Sequence, residues 1–308
     1  MEREFLDWLI SRLPSSPHLR LGAGDDAAVL RWATGGDMVV TTDAVMDGVD
    51  FFLAEIDAAL AGHKALAVNL SDLAAMAAEP VAAVISLVLP RDGGGLGGAR
   101  ELAEALYCGM LPLAERFELA IAGGDTNTWT GPLAISVTAI GRTTERGPLT
   151  RSGARPGDEL LVTGAVGGSI LGRHLHVEPR VREALVLHEL YPLHAGIDIS
   201  DGLALDASRL ATASHCGVAL ELEAIPISTD ALKLAGSTGR RPIEHALGDG
   251  EDFELLLAAS PEAADQMVQD QPVGVAITRI GSFVDRPGLW QVVDGGELKP
   301  LAATGYEH

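Results

Sequence analysis

Aspartates recur at the ends of apolar segments in this 308-residue chain, and one lies inside such a segment. A lone buried carboxylate is unfavourable by several kcal/mol unless it is paired or bound to a cation. Lys and Arg number only 22 against 43 Asp and Glu, and few lie near these aspartates. The residues are Asp25 and Asp26 in GAGDDAAVL, Asp43 in TTDAVMDGVDFF, Asp72 in NLSDLAAM, Asp125 in AGGDTN, and Asp198 and Asp201 in GIDISDGLALD.

Divalent cations shared between these carboxylates would remove the cost of burying them. Mg²⁺ prefers hard carboxylate and hydroxyl oxygens, and its coordination is usually completed by water and substrate phosphates. Thr41 and Thr42, which directly precede Asp43, could add hydroxyl oxygens. The pattern therefore indicates a multi-Mg²⁺ site for phosphate chemistry, provided that the fold brings these segments together. Periodicity alone does not show that they meet in space.

Most of these aspartates also have a structural explanation when taken singly. Asp26 could cap a helix or make a turn, and Asp125, which follows Gly-Gly, could make a simple Asx turn. Either Asp198 or Asp201 could cap the helix expected to begin near Gly202. Asp72 is hardest to explain structurally, because aspartate is unfavourable inside a helix and its neighbours are apolar.

The elements that must position these residues alternate between strands and helices. A charged, Gly- and Pro-rich junction at 142–158 separates two αβ halves, which predicts domains at 1–145 and 146–308. The predicted strands are 37–43, 81–89, 118–124 and 133–141 in the first half and 159–164, 253–260 and 273–281 in the second. The predicted helices are 63–79, 98–117, 180–190 and 203–215.

Composition narrows the possible partners. The net charge of −21 makes a nucleic-acid partner unfavourable, and hydrophobic residues at 47% are ample for a packed interior. Cys108 and Cys216 form no metal motif. One disulfide is conceivable, but two reduced core thiols in a cytoplasmic protein are the simpler interpretation. The amphipathic, acidic start MEREFLDWLISRL does not fit a signal peptide, and no run has the about 18 apolar residues of a membrane span.

Two glycine-rich loops have the composition of phosphate-binding turns. DGGGLGG (92–98) contains G-x-G-x-x-G, but Pro90-Arg91-Asp92 separates the strand from the first glycine, which favours a surface loop over a dinucleotide site. VTGAVGGS (162–169) could present backbone N–H groups to a phosphate. It contains no Lys or Arg, so close packing of a helix on a sheet is the favoured interpretation.

Seven segments in this order resemble the thiamine-monophosphate kinase family, within the aminoimidazole-ribonucleotide-synthetase-like superfamily of ATP-using proteins. The resemblance runs from about residue 20 to the C-terminus. NLSDLAAM, GGDT and DISDGL are specific for the superfamily, and the full set is more typical of the kinase. The segments are GAGDDAAVL, TTDAVMDGV, KALAVNLSDLAAMAAEP, AGGDT, TRSGARPGDELLVTGAVGGS, DISDGL and GEDFELL.

The resemblance implies ATP-dependent phosphorylation of thiamine monophosphate to thiamine diphosphate. It implies an α+β fold of two αβ domains, with an N-terminal mixed or antiparallel sheet that dimerises and a C-terminal α/β domain that completes each site. Direct Mg²⁺-assisted transfer needs charge neutralisation and positioning, so no general base is assigned.

The resemblance also implies site residues, motif by motif. The implied Mg²⁺ ligands are Asp26, Thr41, Thr42, Asp43, Asp72, Asp125, Asp198 and Asp201. The implied ATP contacts are Tyr107, Gly124, Arg151 and Ser200. The implied substrate contacts are Asp50, Glu251 and Tyr306.

Some residues depart from the family pattern. The family usually reads G-V-H-F where this chain has Gly48-Val49-Asp50-Phe51, and an aspartate there would repel a substrate phosphate unless a metal or lysine bridges them. Asp47 stands where Glu is common, and the chain ends at GYEH without the aromatic residue that often follows.

Other activities of the same superfamily fit the cysteines and motifs of this sequence less well. Selenophosphate synthetase and the hydrogenase maturation protein use a cysteine near a terminus, whereas Cys108 and Cys216 are internal. Aminoimidazole ribonucleotide synthetase fits GEDFELL and NLSDLAAM less well. Asp50 leaves open a non-catalytic or altered-substrate nucleotide-binding paralogue, although such a protein has little use for so many carboxylates.

Overall fold

The computed structural model describes residues 19–21, 25–31 and 36–306. Two β-sheets lie one after the other along the chain. The strands of the first are β1 Leu19–Leu21, β2 Ala28–Leu30, β3 Met38–Met46, β4 Ala78–Pro90, β5 Ala120–Trp129 and β6 Ala134–Thr143. The strands of the second are β7 Glu159–Thr163, β8 Leu193–Asp198, β9 Gly217–Leu220, β10 Leu255–Ala259, β11 Ile277–Val284, β12 Gly288–Val293 and β13 Glu297–Pro300.

Seven α-helices lie within the described residues. Two of them cover the first sheet, and five belong to the second half of the chain. They are α1 Ala58–Ala75, α2 Ala99–Arg116, α3 Val181–Leu190, α4 Leu203–Ala213, α5 Thr229–Thr238, α6 Pro242–Gly248 and α7 Pro261–Asp270.

The first sheet has the strand order β1-β2-β3-β6-β4-β5, and its neighbours are antiparallel except for the parallel pair β4 and β5. One face carries buried residues such as Val39, Ile85 and Val137 and packs under α1. The opposite face leaves Val84 exposed. The sheet is therefore covered on one side only.

Helix α1 is the central element of the molecule. The Asp57 side chain caps its N-terminus by accepting from the Ala59 N–H at 2.9 Å. The helix is rich in alanine and buried on nearly every side. At Gly62, a Cβ would lie 2.0 Å from the carbonyl oxygen of Leu106, so glycine lets α1 and α2 approach closely.

The second sheet has the order β13-β12-β9-β11-β7-β10-β8, mostly antiparallel, with β9 and β12 parallel. The fully buried β10 lies between β7 and β8. Residues 144–158 contain no strand or helix. This agrees with the predicted junction, while the limits 1–145 and 146–308 stay a prediction.

The predicted elements occur, with shifted ends. The helix predicted over 63–79 spans Ala58–Ala75, and the strand predicted over 118–124 continues to Trp129. Sequence patterns missed α5, α6 and α7, which are short helices with small or polar residues. They also missed the strands β1, β2, β8, β9, β12 and β13. The described helices include none that is both long and apolar enough to cross a membrane.

Candidate active site

Three carboxylates from separate parts of the chain meet beside α1. Oxygens of Asp26, Asp72 and Asp198 lie within 4.8 Å of one another. Asp26 precedes β2, Asp72 lies in the last turn of α1, and Asp198 ends β8 of the second sheet. The cluster therefore joins both halves of the chain, and it contains the aspartate that sequence reasoning found hardest to explain.

Hydroxyl groups fix the orientation of this cluster. Thr41 on β3 donates to Asp72 Oδ2 at 2.5 Å and lies 3.3 Å from the carbonyl oxygen of Asp26. Ser71 donates to Asp198 Oδ2 at 2.5 Å. These bonds occupy one oxygen of Asp72 and one oxygen of Asp198. The close approach of the three acids still leaves excess negative charge at the site.

Burial and mutual repulsion raise the pKa values of two of these acids. Burial is the largest cause for Asp72, followed by the charges of Asp43, Asp198 and Asp26. Burial also raises the pKa of Asp198 well above its usual range, with Asp26 as the next cause. Acids that oppose one another's ionisation in this way form a site that a divalent cation would stabilise.

Asp43 lies beside this cluster on β3. Its backbone N–H donates to the Asn69 side chain of α1 at 3.1 Å. Its charge is the largest of the three acidic contributions to the pKa of Asp72. Asp43 is therefore a fourth carboxylate at the same site.

Arg151 is the cation closest to this cluster in the described chain. Its guanidinium donates twice to Asp26, at 2.6 and 2.9 Å, and its backbone N–H donates to Asp25 at 3.1 Å. Burial and the adjacent Asp26 raise the pKa of Asp25 to about 6. Asp26 is held by an ion pair that crosses from the junction segment to the first sheet, rather than by a helix cap.

Thr42 and Asp125 are not brought into this cluster within one chain. Thr42 donates to the Val137 carbonyl and lies 3.1 Å from Thr138 Oγ1, on the uncovered face of the sheet. Asp125 is the register partner of the half-buried Ser86 on that face, and Gly124 precedes it. Three strand spacings of about 4.8 Å place Gly124 roughly 14 Å from Asp43. Their roles stay predictions.

The DISDG turn is organised by an acid that sequence reasoning did not select. Asp206 accepts from the backbone N–H groups of Asp201 and Gly202 at 3.0 and 3.2 Å. Burial raises its pKa to about 7, and Arg209 opposes that shift. Arg209 also pairs with Asp201 at 2.5 Å. The prediction that Asp198 or Asp201 caps the helix was wrong, because no side chain caps α4 at Gly202.

The other predicted contacts gather around this turn. The Glu251 N–H donates to the Ser200 carbonyl at 2.7 Å, and the Tyr306 N–H donates to the Asp201 carbonyl at 2.8 Å. The chain's last described residues therefore run over the turn. Tyr107 lies half-buried on α2 and packs against the hydrophobic core between the first sheet and its helices, so its role stays a prediction.

Lys64 is a candidate functional residue that sequence reasoning missed. It is only 1% exposed on α1, and its Nζ donates to Glu251 Oε1 at 2.5 Å and to the Asp50 carbonyl at 2.9 Å. The Asp50 carboxylate accepts from the Met46 N–H at 2.7 Å. A lysine within the apolar run HKALAVNL was the available signal, because such a residue is buried only when it is paired.

The two glycine-rich loops differ. DGGGLGG forms a largely exposed turn between β4 and α2. In VTGAVGGS the N–H groups of Gly167 and Gly168 donate to the carboxylates of Asp252 and Asp249. At Gly168 a Cβ would lie 2.4 Å from the Ala231 nitrogen. Helix packing therefore explains the second loop. Cys216 is buried, whereas Cys108 is exposed on α2, so the expectation of two core thiols was wrong for Cys108.

Comparison with known families gives the chain an identity. The model "AIR synthase related protein, N-terminal domain" matches residues 24–143, and "AIR synthase related protein, C-terminal domain" matches residues 149–290. The chain belongs to the AIR synthase related protein family. Both matched regions contribute to the carboxylate cluster, with Asp26 and Asp72 in the first and Asp198 in the second.

Curated relatives within this family are thiamine-monophosphate kinases. The one from Rhodopirellula baltica is 44% identical over 315 residues, which cover 100% of this chain and 97% of the relative. The one from Escherichia coli (strain K12) is 35% identical over 317 residues, which cover 94% of this chain and 92% of the relative. The resemblance seen in the motifs is therefore confirmed over the full length.

Solved structures agree with this assignment. A structure described as AaThiL complexed with AMPPCP and TMP matches with a TM-score of 0.85 and 29% identity, covering 100% of this chain and 96% of that one. The hydrogenase maturation protein HypE of E. coli matches with a TM-score of 0.72 and 20% identity, covering 98% of each chain. The second likeness concerns the fold alone.

Proposed function

We propose that this protein phosphorylates thiamine monophosphate with ATP to give thiamine diphosphate and ADP. The observation that carries the proposal is the cluster of Asp26, Asp72 and Asp198 in a chain similar over its full length to thiamine-monophosphate kinases. A phosphoryl transfer between two anionic substrates requires charge neutralisation. A site that concentrates carboxylates can provide this only by holding cations.

The donor set of the site fits Mg²⁺. It offers the oxygens of three close carboxylates, with Asp43 and the Thr41 hydroxyl beside them. The described part of the chain adds no sulfur or imidazole ligand to this group. The raised pKa values of Asp72 and Asp198 reflect the repulsion that a cation would relieve. When bound, Mg²⁺ would supply positive charge to the phosphate groups. Thr42, Asp125 and Asp201 remain proposed ligands, of which Asp201 would serve a further ion.

The chain's own residues would bind and orient the two substrates. Arg151, Ser200, Gly124 and Tyr107 are the proposed ATP contacts, with the guanidinium of Arg151 already placed at the cluster by Asp26. Asp50, Glu251 and Tyr306 are the proposed contacts to thiamine monophosphate. The acceptor phosphate is nucleophilic at neutral pH, so we assign no general base.

We propose that the active form is a homodimer joined through the uncovered face of the first sheet. This face exposes Val84 of β4, and the edge strand β5 is exposed along nearly its whole length. A second copy would cover both. Thr42 and Asp125 lie on this face, so each would meet the partner's surface.

Residues 1–145 would form the dimerising domain and residues 146–308 the domain that completes the site. A cytoplasmic location stays a prediction.

The test is release of ADP from ATP and Mg²⁺ with and without thiamine monophosphate, with thiamine diphosphate followed by chromatography. The proposal expects thiamine diphosphate to form in equal amount to ADP, and only when Mg²⁺ is present. A protein that binds ATP without forming product would be a non-catalytic paralogue, as Asp50 suggested. ADP release that is independent of thiamine monophosphate would indicate another acceptor.

A further inference from the structure

Lys64 places a charged group in the interior of the molecule. Its side chain is 1% exposed, and it lies on α1, which is otherwise rich in alanine and leucine. An ammonium group is buried only where hydrogen bonds and an opposite charge replace water. Here Glu251 supplies the charge at 2.5 Å, from a position 187 residues away in the sequence.

The second partner of Lys64 is the backbone carbonyl of Asp50, at 2.9 Å. Asp50 belongs to the turn that follows β3 in the first half of the chain, whereas Glu251 belongs to the second half. One buried ammonium therefore connects the two segments that carry the proposed substrate contacts. The Asp50 carboxylate is separately held by the Met46 N–H at 2.7 Å.

The backbone around Glu251 is fixed independently of its side chain. Glu251 has φ of +52°, an unfavourable value for a residue with a Cβ, and it follows Gly250 at φ +72°. The Glu251 N–H donates to the Ser200 carbonyl, and Ser169 Oγ donates to the Gly250 carbonyl at 2.6 Å. These backbone bonds therefore fix the position of the Glu251 Cα and Cβ atoms.

The carboxylate of Glu251 is set by Lys64. The side chain of Glu251 is 33% exposed, so its carboxylate can reach a ligand while Lys64 beneath it stays buried. Within the described residues, Lys64 is the side chain with which the Glu251 carboxylate pairs. Without the ammonium, the side chain would be free to change rotamer.

We propose that Lys64 is a positioning residue for the acceptor substrate, which acts by holding the Glu251 carboxylate and the Asp50 turn in one arrangement. The inference rests on the proposed function, because it concerns the thiamine monophosphate side of that site. Lys64 does not touch the carboxylate cluster, since its partners are Glu251 and Asp50. Its removal therefore acts on one substrate and spares the other.

The test is steady-state kinetics of Lys64→Met with each substrate varied in turn. We expect the KM for thiamine monophosphate to rise at least tenfold and the KM for ATP to change less than twofold. Calorimetric titration with thiamine monophosphate should show the same loss in affinity. Lys64→Gln, which keeps a donor for the Asp50 carbonyl, provides the measurement if the methionine variant does not fold.

A double-mutant cycle separates positioning from a general structural role. If Lys64 acts through Glu251, the double variant Lys64→Met/Glu251→Gln should lose far less affinity for thiamine monophosphate than the two single losses multiplied together. Arg116→Met is the matched control, because Arg116 and Glu178 form another ion pair between the two halves, on the surface. The KM values of this control should not change.

The outcomes distinguish the two proposals. If the wild-type chain forms no thiamine diphosphate, the proposed function is wrong and this inference falls with it. If the wild type is active but both Lys64 variants keep its KM for thiamine monophosphate, only the inference is wrong. Equal increases in both KM values, or multiplicative effects in the cycle, would also overturn it.

Discussion

Thr41 on β3 donates to Asp72 on α1 at 2.5 Å, and this bond ties the carboxylate in the last turn of the helix to the sheet beneath it. Asp72 lies half-buried beside Asp26, Asp43 and Asp198. Desolvation and the charges of these three acids raise its pKa. An acid in these surroundings weakens the fold unless a cation is bound. The relationship leads to opposite expectations for stability and activity.

Replacement of Asp72 by Asn should lower Mg²⁺-dependent turnover at least 100-fold, because a proposed metal ligand and its charge are lost. The same change should raise the melting temperature in EDTA, since it removes repulsion while the amide oxygen can still accept from Thr41. Calorimetric melting with EDTA and with Mg²⁺ measures this. Mg²⁺ should stabilise the wild type more than the variant. Asp265→Asn, on the surface, is the control; unchanged turnover in Asp72→Asn would contradict the cluster.

Replacement of Asp50 by Asn should improve use of thiamine monophosphate. The variant removes a negative charge from the proposed substrate side but keeps an oxygen that can accept from the Met46 N–H. Coulomb energies near a protein surface are roughly 1–4 kcal/mol at 4 Å, so we expect a several-fold lower KM. Asp50→His restores the family residue but loses the turn bond, at a cost of about 1 kcal/mol of stability. A KM that rises in both variants would show that the carboxylate itself binds substrate.

Replacement of Val84 by Arg should convert the proposed dimer into monomers. Val84 is 39% exposed on the uncovered sheet face, and a charged side chain there would be buried without a partner in the dimer. Sedimentation velocity measures the mass directly. Val268→Arg is the matched control, because Val268 is equally exposed, at 39%, on α7 far from that face. A wild-type chain that sediments as a monomer at micromolar concentration would refute the proposed interface.

His188 should make the stability depend on pH near neutrality. Burial is the main cause that lowers its pKa below 6.5, and its Nε2 lies 3.1 Å from the Gly147 carbonyl in the junction segment. The unfolded chain therefore binds this proton more readily than the folded one. Its contribution is complete above about pH 6.5 and is lost as the pH falls below that value. Urea unfolding at pH 7.5 and 5.5 should show a smaller loss for His188→Gln than for the wild type; equal losses would assign the pH dependence to other groups.

The sequence determined the chemistry more fully than the geometry. Adjacent acids such as Asp25 and Asp26, and Asp72 within an apolar helix, indicated cations, because burial of carboxylates is unfavourable whatever the fold. Hydrophobic periodicity likewise located α1, α2 and most long strands. The short α6, with seven residues, left too little period to detect.

Only the tertiary structure decided which of these residues meet. Asp198 reaches Asp26 and Asp72 because β8 ends beside α1, and Lys64 reaches Glu251 across 187 residues. Thr42 follows Thr41 directly but lies on the other face of the sheet, since successive side chains in a strand point to opposite sides. Residue types set what each group can bind, whereas contacts between distant segments depend on packing that no local pattern encodes.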